Sequence, residues 1–265
     1  AAEINQVVPL ELAPLNLTPG TSFRFTVNAK DHFPHADNVG KSPEFLLRVV
    51  TESELRADLL RREIEQRQAF DRVYQDQLTL ATELQALVAR QKPDSIDDSQ
   101  FLAAQEKEFI AAVRNQKSIG TQVSRIADRF EEFLVEVKNN KLDAAENAID
   151  PSQRIETLFD QRIIQPIRNL DENQISLAAR HVEHCRTLLG TSNELNAAAA
   201  KADQTHQLIL EQMKLILASM NDSENFQGII NDIIAVKNAS EDINRKIDAG
   251  AKPAIDDIDE DKIFD

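Results

Sequence analysis

Apolar residues recur at alternating spacings of three and four positions along two long stretches of the chain, from 102 to 137 and from 195 to 220. Residues at this spacing form a single seam along an α-helix, and a seam kept for several heptads predicts a coiled coil or helical bundle. A chain with two such seams is expected to fold mainly as long helices. The seams are Leu102, Glu106, Phe109, Val113, Gln116, Gly120, Val123, Ala127, Phe130, Leu134 and Val137, and then Leu195, Ala199, Ala202, His206, Ile209, Met213, Ile216 and Met220.

Helix start and stop signals divide residues 51–250, which include the two seams, into five predicted helices. Thr51 or Ser53 can cap the first, and Pro151 lies near the start of the third. Pro166 is expected to kink or interrupt that third helix, and the polar run 221–223 to separate the fourth from the fifth. The tail is strongly acidic and predicted to be disordered. The predicted helices span about residues 52–92, 97–140, 152–189, 192–220 and 223–249, and the tail spans 251–265.

The short connections between these helices favour antiparallel neighbours. The predicted fold class is therefore mainly α, with elongated antiparallel helical hairpins or a coiled-coil bundle after a small N-terminal β segment. The fifth helix also has a seam, formed by Phe226, Ile229, Ile233, Val236, Ser240, Ile243 and Ile247.

Residues 1–50 follow a different pattern. Phe23, Phe25, Val27 and Ala29 alternate with polar residues, which predicts a half-buried strand. Residues 44–50 read as a second strand after a turn-rich stretch. Two strands joined by a polar loop resemble the last pair of an immunoglobulin-like (Ig-like) sandwich. Because a whole sandwich needs about seven strands, the segment is expected to be the end of such a domain.

Composition argues against several functional classes. A net charge of −15 opposes binding to nucleic acid and to anionic membrane surfaces. Aromatic residues make up only 5%, and the chain has no Gly-rich phosphate loop, Gly-x-Ser-x-Gly elbow or His-Glu-x-x-His motif. No apolar run approaches the ~18 residues of a membrane span, and any N-terminal signal or membrane segment is expected to lie outside this chain. We therefore expect a protein that is not an enzyme and uses no cofactor.

The best candidate for a metal site is the run from His181 to Cys185. Positions i, i+3 and i+4 share a helix face, so His181, His184 and Cys185 could supply three zinc ligands. However, Cys185 falls on an apolar stripe that the two histidines flank, and no fourth ligand is specified. The favoured interpretation is a buried small cysteine between two boundary histidines, and no metal site is predicted.

The other titratable groups give weaker signals. His32 and His35 lie in the loop between the two strands, where solvent exposure is expected. His206 occupies a seam position, where it is expected to be a satisfied core or boundary residue, although a pH-sensitive packing role is also open. The acidic run 256–261 lacks the glycine and the bidentate glutamate of an EF-hand, so calcium binding is not expected.

The order of these parts resembles one class of bacterial proteins. Residues 25–31, 40–42 and 47–51 are similar to the closing strands of an extracellular Ig-like or cadherin-like domain, and they run directly into the helical segments 54–63 and 66–70. Residues 210–234 resemble the C-terminal helices of the same class. This class comprises large envelope proteins of planctomycete-type bacteria, which have an N-terminal membrane region, an Ig-like portion and long C-terminal helices. The resemblance implies a membrane-tethered parent in the periplasm or cell envelope.

Two functional hypotheses remain open. In the first, the chain is a structural or interaction protein of the bacterial cell envelope, a helical spacer or scaffold that binds protein partners or self-associates through its helix seams. In the second, it is a periplasmic helical-bundle sensing module that binds a small ligand, with Gly120 and Pro166 as hinge sites.

Overall fold

The computed structural model describes residues 11–30, 39–142 and 155–250. The protein is mainly α, with 79% of residues in helices, as the sequence predicts. The chain divides into two compact units, Ala1–Ala57 and Asp58–Asp265.

The first unit contains a β-hairpin with two short ladders. Strand β1 (Ser22–Phe25) pairs antiparallel with β4 (Phe45–Arg48), and β2 (Asn28–Lys30) pairs antiparallel with β3 (Val39–Lys41). The alternation predicted for Phe23, Phe25, Val27 and Ala29 is confirmed only for Phe23 and Phe25, which are half-buried. Val27 and Ala29 are exposed, because the strand ends at Phe25 and a second ladder begins at Asn28. The Phe25 ring stacks on Phe45 with centroids 5.1 Å apart. Of the predicted turn-rich stretch 31–42, residues 31–38 lie outside the described residues, and Val39–Lys41 form β3 instead of a turn.

Four helices follow within residues 39–142 and 155–250. They are α1 (Glu52–Ala89), α2 (Asp98–Asn139), α3 (residues 155–187) and α4 (Ser192–Gly250). The predicted cap of α1 is confirmed: Thr51 and Glu54 form a reciprocal capping box, in which each backbone N–H donates to the other side chain. Asp97 caps α2 by accepting from the Ser99 backbone N–H.

The predicted break between the fourth and fifth helices is wrong. Helix α4 runs through Asn221, Asp222 and Ser223 without interruption for 59 residues. Polar residues lower helix propensity only slightly, and neither proline nor glycine interrupts this run. The side chain of Ser223 is fully buried. The predicted acidic tail lies outside the described residues.

Pro166 does not interrupt α3, which corrects a second expectation. The backbone stays helical on both sides, but two stretches, Leu158–Ile164 and Leu170–Ile175, adopt the wider π-helical form. The Gln165 N–H donates to the carbonyl of Asp160, five residues back. This wider turn accommodates a proline that cannot donate a hydrogen bond.

Side-chain contacts fix the order of the helices in the bundle. Helix α1 runs antiparallel to α2, with Arg62 bonded to Glu136 and Arg90 to Glu108. Helix α3 also runs antiparallel to α2, with Arg168 bonded to Glu131 and Arg186 to Glu106. Since α1 and α3 each contact α4 as well, the helices form an up-down-up-down four-helix bundle. The α1–α4 contacts are Arg67–Glu224 and Gln85–Asp203, and the α3–α4 contact is His181–Thr205.

The core lies where the predicted seams meet. In α2, seven of the predicted seam residues are buried, and a second heptad row beside them is buried as well. That second row exists because α2 packs against both α1 and α3. It consists of Gln105, Ala112, Ile119, Ile126 and Phe133. Phe130 lies at the centre, in edge-on contact with Phe133 and Phe159 at centroid distances of 5.6 and 5.4 Å.

Candidate interaction surface and core cavity

Helix α4 has two apolar faces, of which one is buried and the other is exposed. One face is the predicted seam from Leu195 to Met220, which is buried in the bundle except for the partly exposed Ala199. The other face, the α4 stripe, is exposed. At 3.6 residues per turn, its residue Ile229 lies ~160° around the axis from Met213 of the buried seam. The α4 stripe comprises Leu208, Leu215, Ile229, Ile233, Val236, Ile243 and Ile247.

The α4 stripe follows heptad spacing from Leu208 to Ile247, with polar residues at some positions, among them Asp222 and Ser240. Leu208, Leu215, Ile229, Val236 and Ile243 all fall in one heptad position, and Ile233 and Ile247 in the other. From residue 229 to 247 these side chains are 56–70% exposed. Isolated exposed apolar residues are common, but a contiguous row at coiled-coil spacing is typical of a helix with an absent partner.

Charged residues flank the α4 stripe. Lys237 lies 3.9 Å from Glu241, and Lys246 lies 2.8 Å from Asp242, in ion pairs along the exposed helix. Such exposed pairs contribute little to stability and exchange partners readily. They give the stripe the mixed-sign polar edge that coiled coils have at the positions beside the seam.

A layer of three polar side chains crosses the bundle core. The side-chain amides of Gln77 in α1 and Gln116 in α2 bond to each other in both directions, at 2.8 and 3.3 Å. The Nε2 atom of Gln77 also donates to Nδ1 of His206 in α4, at 2.6 Å. All three side chains are buried. The accepting Nδ1 places the ring proton on Nε2, and burial lowers the pKa of His206 to about 4, so the ring is neutral at pH 7.

Beside this layer lies a cavity of about 290 Å³. Its wall is mostly apolar, with small residues such as Ala81, Ala199 and Ala202 where larger side chains would fill the space. Buried residues form its floor, and exposed residues such as Gln85 and Ala200 form its rim, so it opens to the surface. His206 is among the residues that line it, although the side chain is only 1% exposed. Within the described part of the chain, Nε2 of His206 has no hydrogen-bond partner.

A second buried polar contact joins α1 to α4. Glu63 is fully buried and accepts a hydrogen bond from the side-chain amide of Gln227. Burial raises the pKa of Glu63 to about 8, and the neighbouring carboxylate of Glu224 adds to the effect. Glu224 itself is bonded to Arg67 at 2.5 Å. Glu63 was not identified from the sequence, although it lies one heptad before Phe70 and extends the α1 seam.

His181, His184 and Cys185, the candidate zinc ligands, lie in different surroundings. Cys185 is buried and lines the cavity, and burial raises the pKa of its thiol. His181 is half-buried, with Nδ1 3.0 Å from the hydroxyl of Thr205. His184 is exposed beside Thr187. In residues 11–30, 39–142 and 155–250, no three His, Cys, Asp or Glu side chains lie close enough together to hold a metal ion.

The remaining predicted groups cannot be placed. His32, His35 and the acidic run 256–261 lie outside the described residues. Of the helices that the structure describes, none is both long and apolar enough to cross a membrane.

Comparisons with known proteins give no relatives: no family model matches the chain, and no curated protein or solved structure shows significant similarity to it.

Proposed function

We propose that this protein is a non-enzymatic structural and interaction protein, in which the four-helix bundle is a scaffold and the α4 stripe is its assembly surface. One observation carries the proposal. A single long helix buries one heptad face in its own bundle and exposes a second heptad face that includes five Ile and Val side chains. A surface of this shape is complementary to another helix.

The occupant that fits the stripe best is the same stripe of other copies of this chain. In a parallel, in-register assembly, identical apolar residues meet in the layers of Ile229, Ile233, Val236, Ile243 and Ile247, and Ser240 forms one polar layer. Asp232 and Lys237 then occupy the flanking positions that face each other between neighbouring helices, five residues apart and opposite in charge. To form this pair, Lys237 would give up only a contact of 3.9 Å with Glu241 of its own helix. Since β-branched residues occupy both seam positions, three or four copies are favoured over two.

The test is the molar mass of the protein in solution, measured by light scattering across a range of concentrations. The wild-type chain is expected to form a defined oligomer. Val236→Asp should dissociate it, because every copy would bury a carboxylate in the same layer of the seam. Val135→Asp is the matched control, since Val135 is also more than half exposed but lies on α2. A wild-type monomer at high concentration, or equal effects of the two variants, would contradict the proposal.

A location in the periplasm or cell envelope of a bacterium belongs to the same proposal. Its support is the resemblance to envelope proteins with an Ig-like portion followed by long helices. The order of a strand pair followed by a helical bundle fits that resemblance, and a partial Ig-like character of the hairpin is proposed with it. Fractionation of cells that express the natural gene tests the location. Recovery of the protein in the cytoplasmic fraction alone would reject it.

A further inference from the structure

The two parts of α4 differ in their surroundings. Over residues 195–227, every turn of the helix has at least one buried residue. Over residues 228–247, where the structure describes the exposure of each residue, none is buried. The change comes directly after the hydrogen bond from Gln227 to Glu63 of α1. The distal segment, residues 229–247, therefore contributes no residue to the core of the bundle.

The amino-acid composition of α4 changes along the same helix. Of the nineteen residues 195–213, fourteen are Ala, Leu, Met, Lys, Gln or Glu, which are strong helix formers. Of the nineteen residues of the distal segment, only six are Ala, Lys, Glu or Arg. The other thirteen comprise seven Ile or Val and six Asn, Asp or Ser, all of which have lower helix propensity. The part of α4 without buried residues is thus also the part with the weaker propensity.

The distal segment is not expected to stay helical by propensity alone. The bundled part of α4 supplies the helix nucleus, so the cost of propagation decides whether the helix continues past Gly228. β-branched side chains lose χ1 freedom in a helix, and Asn, Asp and Ser side chains compete for the backbone hydrogen bonds. The exposed ion pairs Lys237–Glu241 and Lys246–Asp242 add little. Most helical stability in proteins comes from burial of an apolar face, and the α4 stripe is the face available here.

We propose that folding of the distal segment is coupled to assembly, so that the segment unfolds locally in the free chain and becomes helical when copies of the chain associate through the α4 stripe. This inference rests on the assembly role proposed above and adds a means of regulating it. Because each copy must order its own segment in order to bind, the cost of ordering offsets part of the interaction energy. Any change that alters the helix propensity of the segment therefore alters the concentration at which the protein assembles.

Hydrogen exchange followed by mass spectrometry observes this coupling directly. Light scattering first defines the concentration below which the wild-type oligomer dissociates. Below that concentration, the amides of the distal segment should exchange at the rate of an unstructured peptide. Above it, they should exchange at least ~10-fold more slowly. Residues 109–130 of α2 include much of the bundle core and should stay protected at both concentrations.

Two substitutions at Asn238 test the coupling through the molar mass. Asn238 is exposed and lies ~180° around the helix axis from Ile229, on the side of α4 away from the stripe. Asn238→Ala raises helix propensity and Asn238→Gly lowers it, and neither changes the seam. The concentration at which half of the protein is assembled should be at least ~5-fold lower for the alanine variant, because alanine is the best helix former and glycine one of the poorest.

Ala197→Gly is the matched control for Asn238→Gly. Ala197 is also exposed on α4, but it lies in the part of the helix that the bundle holds before and after association. The same loss of helix propensity should therefore leave the concentration of half-assembly unchanged.

The results distinguish this inference from the assembly role. If the two Asn238 variants assemble at the same concentration, or if the distal segment is protected in the dissociated chain, the coupling is overturned and the assembly role stands. A wild-type chain that is monomeric at every concentration overturns the assembly role and the coupling with it. An equal effect of Ala197→Gly and Asn238→Gly also overturns the coupling, because the response would not then be specific to the distal segment.

Discussion

The carboxylate of Glu63 accepts a hydrogen bond from the side-chain amide of Gln227, 164 positions later in the chain, and neither side chain has appreciable contact with solvent. The contact joins α1 to α4 two residues before Ile229 of the α4 stripe. In the part of the chain that the structure describes, Oε1 of Glu63 has no partner at hydrogen-bond geometry, although the nearby Ser223 side chain partly offsets the rise in the pKa of Glu63. The bundle thus contains a buried ionisable group that is only partly hydrogen-bonded.

Glu63→Gln is expected to stabilise the protein at alkaline pH. Burial raises the pKa of Glu63 from 4.5 to about 8, so folding favours the protonated form. Stability from this group is fully present below pH 4.5, declines as the pH rises, and is lost above pH 8. Glutamine stays neutral and can still accept from Gln227. We expect a gain in unfolding free energy of about 2 to 4 kcal/mol at pH 9 and little gain at pH 4.5.

Urea unfolding followed by circular dichroism at both pH values measures this effect. Glu83→Gln, at an exposed position of the same helix, is the matched control and should change stability equally little at either pH. A gain for Glu63→Gln that does not depend on pH would show that the carboxyl does not titrate in this window.

The seams show how far the sequence predicts this fold. Of the α2 seam, Phe109, Val123 and Phe130 are buried as expected. The second buried row of α2, which includes Ile119 and Ile126, was not predicted, because a single heptad seam describes contact with one partner helix. The bundle gives α2 two partners, so each heptad buries a wider face.

The exposed α4 stripe, the polar layer and the cavity were harder to predict from the sequence than the fold. The heptad around Ile233 is evident in the sequence, but its exposure depends on which helices the bundle places nearby. Gln77, Gln116 and His206 all fall at seam positions, yet their mutual contact depends on the register between three helices. The cavity forms where small residues such as Ala81, Ala199 and Ala202 meet, and the sequence does not show that these residues lie together.

Gly120 permits the close approach of α2 and α3. A Cβ atom added there would lie 3.0 Å from Oδ1 of Asp171 and 3.2 Å from Cγ2 of Ile175. Ile175 is buried and cannot move away freely. Gly120→Ala should therefore lower the unfolding free energy by about 1 kcal/mol, although alanine is the better helix former.

Gly228→Ala is the matched control for that substitution. A Cβ atom at Gly228 has no atom within 4 Å, so only the helix propensity of α4 changes. We expect stability in urea unfolding to stay equal or to rise by up to ~1 kcal/mol. If both alanine variants are stabilised, the approach of α2 to α3 does not require a glycine.

Single and combined substitutions in the polar layer of the core should change the free energy of unfolding by different amounts. Gln77→Leu removes the partner of Gln116 and of His206 Nδ1 together, and each unpaired group costs about 1 to 3 kcal/mol. Replacing Gln77, Gln116 and His206 together by leucine leaves no polar group unpaired and should recover most of that loss. Urea unfolding of the single and triple variants makes the comparison. A triple variant no more stable than Gln77→Leu would show that the layer stabilises the bundle by its own hydrogen bonds.

Cys185 offers a direct measure of how often the bundle opens. Its side chain is 2% exposed, and burial raises the pKa of its thiol, so both access and thiolate formation are limited in the folded protein. An aromatic disulfide reagent such as DTNB should react with the native protein at least ~100-fold more slowly than with the urea-unfolded chain, because the reaction requires local opening. The variant that combines Cys185→Ala with Ala197→Cys places the thiol on the exposed side of α4 and should react rapidly in the native state. Rapid labelling of native Cys185 would mean that α3 separates from α4 far more readily than their buried contacts imply.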